Sequence, residues 1–289
     1  MSSNKKIIFI ILLFTLTSQA QKNDFEAGLY NIGGGIIISS IGSILNKKPN
    51  EKLGPTLIKS ISQGALGGFL VFQSKNLIKK FSKTENYGYV WPSNILNAAG
   101  TSFIENGAAN RPFGSEWHIN LGFNRLEITT NKKFKLKYRI MPFSLIGTLR
   151  NAISNRFDFE KSIKTGFLIF TSNEIELDDN GNDITYGQTT GSNSILILNN
   201  KFGKIALPHE IIHVYQYEQF SGINMYLNKA KNKYSEKNKL LHLYNKIFYT
   251  DFNYITFGGL YYIGNPDQKN QIKNNFFERE AEYYNTNTL

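Results

Sequence analysis

Leu207-Pro208-His209-Glu210-Ile211-Ile212-His213-Val214-Tyr215-Gln216 is the stretch around which the rest of the chain can be read. Apolar residues follow one another without the alternation of a strand, and Pro208 suits a first helical position, where its missing N–H has no intrahelical partner. The sequence therefore predicts a helix opening at Pro208. Residues four apart on a helix share a face, so His209 and His213 can present their imidazoles to one ion. Glu210 stands beside them, rotated by about 100°. Two neutral imidazoles with an adjacent carboxylate that is not itself a ligand suit zinc and its activated water. Only four histidines occur in the chain, and two of them fall at this spacing.

A third ligand is sought downstream, in Phe276-Phe277-Glu278-Arg279-Glu280-Ala281-Glu282-Tyr283-Tyr284. Glu278 and Glu282 lie one helical turn apart, whereas Glu280 is turned about 200° from Glu278, so a single ion cannot take both from one helix. Taken with the pentad, this acidic stretch resembles the second helix of the gluzincin metallopeptidases, which supplies a glutamate ligand after His-Glu-x-x-His. The resemblance covers these two helices and the strand before them. It implies His209, His213 and Glu278 as metal ligands, Glu282 as the carboxylate that orients a ligand histidine, and Glu210 as general base. Glu282 stands where that family more often has Asp. Glu280 is kept as the weaker alternative ligand, with little effect expected from Glu280→Gln. For a hydroxyl donor to the developing oxyanion, Tyr283 and Tyr284 are the first candidates, with Tyr261 and Tyr262 in reserve.

The chain has 289 residues and no cysteine, which removes disulfides and thiolate ligands. Lys5-Lys6, the apolar run Ile7–Phe14 and Ser18-Gln19-Ala20 describe a signal peptide over residues 1–20. A retained N-terminal anchor is the other reading. Either way the expectation is an exported protein of a bacterial periplasm or cell envelope. The formal net charge is +11, but the lysines are scattered and not interleaved with aromatics on one element, so no nucleic-acid partner is expected.

Residues 27–46 are uncharged and rich in Gly, Ser and Ile, and a second apolar run covers residues 57–72 with Lys59 inside it. Small residues recur four apart at Gly35 and Ser39 and at Gly64 and Gly68, the spacing that lets helix backbones approach closely. A glycine-rich helical hairpin over residues 21–90 follows, either associated with a membrane or packed in a soluble fold. A metallopeptidase-like domain over residues 91–289 succeeds it, the two meeting loosely near residue 90.

Within that domain, Trp91-Pro92-Ser93 predicts a helix capped by Ser93 and running past Asn97 to Asn106. Alternation then predicts strands around Trp117–Phe123 and Phe134–Ile140, joined near Asn131, with His118 on the solvent side. Further strands are expected over 165–171, 174–177 and 194–198, the last as a sheet edge where a peptide substrate pairs. An exposed turn is read at residues 178–183, a helix from Ser221 to Tyr249, and a loop or strand over 256–264. The fold class is α+β: a glycine-rich helical N-terminal region, then antiparallel strands, then a helical zinc-binding half. The function expected is zinc-dependent hydrolysis of peptide or protein substrates. The competing class is a non-catalytic envelope protein with an incidental or structural metal site.

Overall fold

The computed structural model describes residues 23–131, 133–173, 186–190, 193–263 and 275–286. The signal-peptide expectation, the strand at 174–177 and the turn at 178–183 lie outside them. The fold is α+β.

Two long helices open it: α1, Asp24–Asn46, and α2, Leu53–Thr84. Asn23 caps α1 by accepting from the Glu26 amide at 2.9 Å. The third helix, α3 (Val90–Ala108), packs against both α1 and α2. Glycine sets the spacing of this layer. A Cβ on Gly35 would lie 2.3 Å from the Gly64 carbonyl oxygen, and one on Gly67 would lie 2.5 Å from that of Gly100. The backbones touch where any side chain would hold them apart. Between them the interior is polar: Asn31, Ser39, Ser43, Ser60, Gln63, Ser74 and Lys75 are buried. Ser43 donates to Ser60 Oγ at 3.0 Å, and Ser39 donates to the Ile104 carbonyl at 3.0 Å. Ser93 is not a cap. It lies inside α3, fully buried, donating to the Ser74 carbonyl.

Strands β1 (Glu116–Leu121), β2 (Asn124–Thr129) and β3 (Lys135–Ile140) form an antiparallel meander. Alternation predicts β1 and β3 but not the strand between them. In β2 the inward positions are Arg125 and Glu127, whose charges pair with each other and with Glu105 and Arg139. Hydrophobicity therefore marks the wrong face. For the same reason His118 is buried and not at the surface, held by Thr101 at 3.0 Å and Ser102 at 3.1 Å.

After α4 (Pro142–Ser154) comes a second sheet, made of β4 (Arg156–Phe157), β5 (Leu168–Ser172), β6 (Gly187–Thr189) and β7 (Ser194–Leu198) in the order β4-β5-β7-β6. Helix α5 (Phe159–Thr165) precedes β5, so the strand expected from residue 165 begins at Leu168. Strand β7 is interior, buried along its length between parallel β5 and antiparallel β6. Its continuous Ile/Leu run is the signature of a strand covered on both faces. The edge beside the site is β6.

Helix α6 spans Lys201–Gln219 and starts seven residues before Pro208, with Asn200 accepting from the amides of Phe202 and Gly203. Pro208 is internal and leaves the Lys204 carbonyl without its helical donor. A 3-10 segment, Phe220–Leu227, then α7 (Asn228–Lys237) and α8 (Lys239–Ile247) replace the single helix expected from Ser221. Asn253–Ile263 forms helix α9 where a loop or strand was expected, and α10 is Phe276–Tyr284, capped by Asn275.

One buried cluster joins Ala27, Ile78 and Phe81 of the hairpin to Ile195 and Ile197 of β7, Leu207, Ile211 and Tyr215 of α6, and Tyr284 of α10. The hairpin is thus bonded into the core that carries the site, and residue 90 marks a change of element within it.

Candidate metal centre

Three side chains converge where α6 meets α10. His209 Nε2 lies 3.0 Å from His213 Nε2 and 3.1 Å from Glu278 Oε2, and His213 Nε2 lies 3.3 Å from Glu278 Oε1. The helix spacing read from the sequence puts both imidazoles on one face, and Glu278 reaches them from the first turn of α10. Among the described residues, His209, His213 and Glu278 are the group whose donor atoms can hold a metal ion.

The outer partners fix this triangle. His209 Nδ1 faces Glu282 Oε2 at 3.5 Å, as expected of an orienting carboxylate. His213 Nδ1 faces Gln216 Oε1 at 2.8 Å, one turn further along the same helix. Tyr261 of α9 donates to Glu278 Oε1 at 2.5 Å, which orients the carboxylate toward the histidines. Burial alone would lower the His209 pKa, but Glu278, Glu282 and the charge of Glu210 carry it up to about 10. Burial acts on Glu278 in the opposite sense, and the two imidazoles hold its carboxyl well below the usual range. Without an ion this is a strong proton trap: the site is built for positive charge.

Glu210 lies against β6. Its Oε2 accepts from Thr189 Oγ1 at 2.8 Å, and the same hydroxyl reaches the Glu210 carbonyl at 2.9 Å. Gly187 makes room for it, since a Cβ there would stand 2.8 Å from Glu210 Cγ and 2.9 Å from Oε1. The carboxylate is therefore held between α6 and β6, the edge strand of its sheet among the described residues.

Two of the expected residues are elsewhere. The Tyr283 hydroxyl donates to Asp24 at the start of α1, with Lys79 over its ring at 3.8 Å, and Tyr284 is fully buried in the core cluster. On a helix whose Glu278 and Glu282 face the histidines, the next two positions rotate onto the hairpin and the core. Tyr261, held in reserve, is the tyrosine at the site, while Tyr262 is turned to solvent, 78 % exposed.

Glu280 is also corrected. It is no ligand, and it is not the indifferent residue expected: it is fully buried, 2.8 Å from the ammonium of Lys75 and accepting from Gln216 Nε2 at 2.9 Å. Gln216 was missed, although its position three residues after His213 places it on the same helical face. Lys75 was missed as well. It falls on the stripe of Gly64, Gly68, Val71 and Ile78, where a charge signals a buried partner.

Comparison with protein-family models, curated proteins and solved structures gives no match, so the site is interpreted from its own residues.

Proposed function

We propose that this chain is a gluzincin-like zinc metallopeptidase, exported to a bacterial periplasm or cell envelope, that hydrolyses peptide bonds in peptide or protein substrates. The carrying observation is the size of the triangle. Donors about 2.0–2.1 Å from a tetrahedral zinc stand about 3.3–3.4 Å apart; here the two Nε2 atoms are 3.0 Å apart, and the two oxygens of Glu278 lie 3.1 Å (Oε2 to His209) and 3.3 Å (Oε1 to His213) from them. Two nitrogens and one oxygen are the donor set of zinc hydrolases that keep a fourth position open.

His209, His213 and Glu278 hold the ion in this reading. Bound zinc acts as a Lewis acid and lowers the pKa of water toward about 7. Glu210, adjacent to a ligand yet held by Thr189, is the general base that takes a proton from the attacking water and returns it to the leaving amine. Thr189 and the narrow space over Gly187 keep its carboxylate in one orientation. Among the described residues β6 is the edge strand of its sheet, and such an edge suits an extended peptide, which pairs through main-chain hydrogen bonds. Tyr261 supports Glu278, and no oxyanion donor is assigned.

The hairpin supports the envelope assignment. In α1 and α2 most inward residues are small or polar, with Ile38, Val71, Ile78 and Phe81 as apolar exceptions, while Phe25, Leu29, Ile44, Ile58 and Phe69 are exposed. This reverses the pattern of a helix in water and suits an outer face against lipid. Helix α1 has 23 residues and is long and apolar enough to cross a membrane. Co-flotation with phospholipid vesicles tests this part, and protein left wholly in the aqueous fraction contradicts it.

Catalysis is tested by a mixed-peptide digest comparing wild type with Glu210→Gln at matched zinc occupancy. The variant should keep zinc and lose about 10²–10⁴-fold in rate. Equal cleavage by both removes Glu210 from the chemistry. No cleavage by either leaves a structural metal site in a non-catalytic envelope protein.

A further inference from the structure

The second ligand histidine is connected to the N-terminal hairpin by an unbroken chain of buried polar groups. Lys75 of α2 is fully buried, and its ammonium has three acceptors for its three N–H bonds: Glu280 Oε1 at 2.8 Å, Asn31 Oδ1 at 2.9 Å and Gln219 Oε1 at 3.1 Å. Burial pushes the Lys75 pKa down, and the charge and hydrogen bond of Glu280 act against that shift. Asn31 of α1 closes the group by donating to the Ala27 carbonyl at 2.8 Å and to Glu280 Oε1 at 3.3 Å.

Glu280 then acts on Gln216. The amide nitrogen of Gln216 has two acceptors, the Phe277 carbonyl and Glu280 Oε2, each at 2.9 Å. Neither offers it a proton, so the amide cannot turn over without losing both bonds. Its oxygen must face His213 Nδ1, at 2.8 Å. An amide oxygen only accepts, so Nδ1 carries the proton. The lone pair of a neutral His213 is thereby on Nε2, the atom directed at His209 and Glu278.

We propose that Lys75, Glu280 and Gln216 are positioning residues that lock His213 in the Nδ1–H tautomer, which makes the N-terminal hairpin part of the metal site. The inference rests on the metal-site reading above. The two histidines are held differently: Glu282, which faces His209, is 51 % exposed, whereas Glu280 and Lys75 have no exposure. A carboxylate at the surface is screened and mobile; the buried chain has one arrangement. The close contact of the hairpin backbones serves this chain, since a Cβ on Gly68 would strike the Asn31 carbonyl oxygen at 2.3 Å.

The test is a double-mutant cycle on zinc affinity in the full chain, with folding checked by circular dichroism. Glu280→Gln should weaken zinc about 10–100-fold, because its amide N–H can turn Gln216 over and place the proton donor against Nδ1. Gln216→Leu should weaken zinc similarly. Gln216→Leu with Glu280→Gln should be no worse than Gln216→Leu alone, because the effect of Glu280 on His213 runs through that amide. In the zinc-loaded wild type a protected His213 Nδ1–H resonance is expected in ¹H–¹⁵N spectra, and it should be lost in Gln216→Leu. Losses that add, or a Glu280→Gln affinity equal to wild type, overturn the inference and make the pair structural. Where Glu280→Gln unfolds, Lys75→Met/Glu280→Gln removes both charges and carries the same expectation. A wild type that binds no zinc overturns the metal-site reading instead.

Discussion

Replacing Lys75 by Met keeps most of the side-chain volume and removes the ammonium from the centre of the helical layer. Glu280, which has no exposure, then retains the Gln216 and Asn31 amides but loses its counter-ion at 2.8 Å. Leaving one member of a buried ion pair alone costs about 3–5 kcal/mol. For a chain of this size each kcal/mol lowers the unfolding midpoint by about 2–4 °C, so the expected drop is roughly 6–20 °C. Adding Glu280→Gln removes the buried negative charge and should recover most of it. Thermal unfolding by circular dichroism reads both. A matched control is Lys79→Met, which breaks a pair with Asp24 whose carboxylate is 68 % exposed, and exposed pairs contribute about 0–1 kcal/mol. The reasoning is refuted if Lys75→Met unfolds with the Lys79→Met control, or if the double variant is no better than the single one.

Two further outcomes follow from the site. Gly187→Ala puts a methyl group 2.8 Å from Glu210 Cγ, in a strand whose backbone tolerates alanine, so the carboxylate must move. Zinc content should be unchanged while peptide hydrolysis falls about 10–100-fold, as for a base displaced by up to 1 Å; full activity would mean that Glu210 needs no fixed position. Zinc affinity should climb with pH. His209 titrates at about 10 in the folded, metal-free protein against an ordinary 6.5, so below about 10 the ion must displace a proton. Each displaced proton weakens binding about tenfold per pH unit of acidification. The same shift stabilises the metal-free fold fully below 6.5, and that contribution is lost as pH rises through about 10. A zinc affinity that is flat between pH 6 and pH 9 contradicts the proton trap.

Much of the convergence of His209, His213 and Glu278 was legible because helix periodicity is local. His209 and His213 share a face by spacing alone, and the same arithmetic separates Glu278 and Glu282 from Glu280. What spacing does not say is where the other face points. Helix α10 is short and enclosed, so Glu280 faces inward onto Lys75 and not outward into water. One lysine among the five of α2 has no local signature of its partner, which lies 205 residues away. Strand β2 escaped for a related reason: its inward face is ionic, so alternation of hydrophobic residues reports the opposite side. Strand β7 was read as an edge although its uninterrupted Ser194–Leu198 run belongs to a covered strand. Pro208 misled in a simple way. Its fixed φ fits a helix start and an early turn alike, and Asn200 does the capping.

The most direct test is metal analysis of the purified chain. The wild type should carry about one zinc per chain, and His209→Ala/His213→Ala should carry none while remaining folded. A wild type without metal, or a double variant that retains its zinc in full, would contradict the reading of this site as a zinc centre.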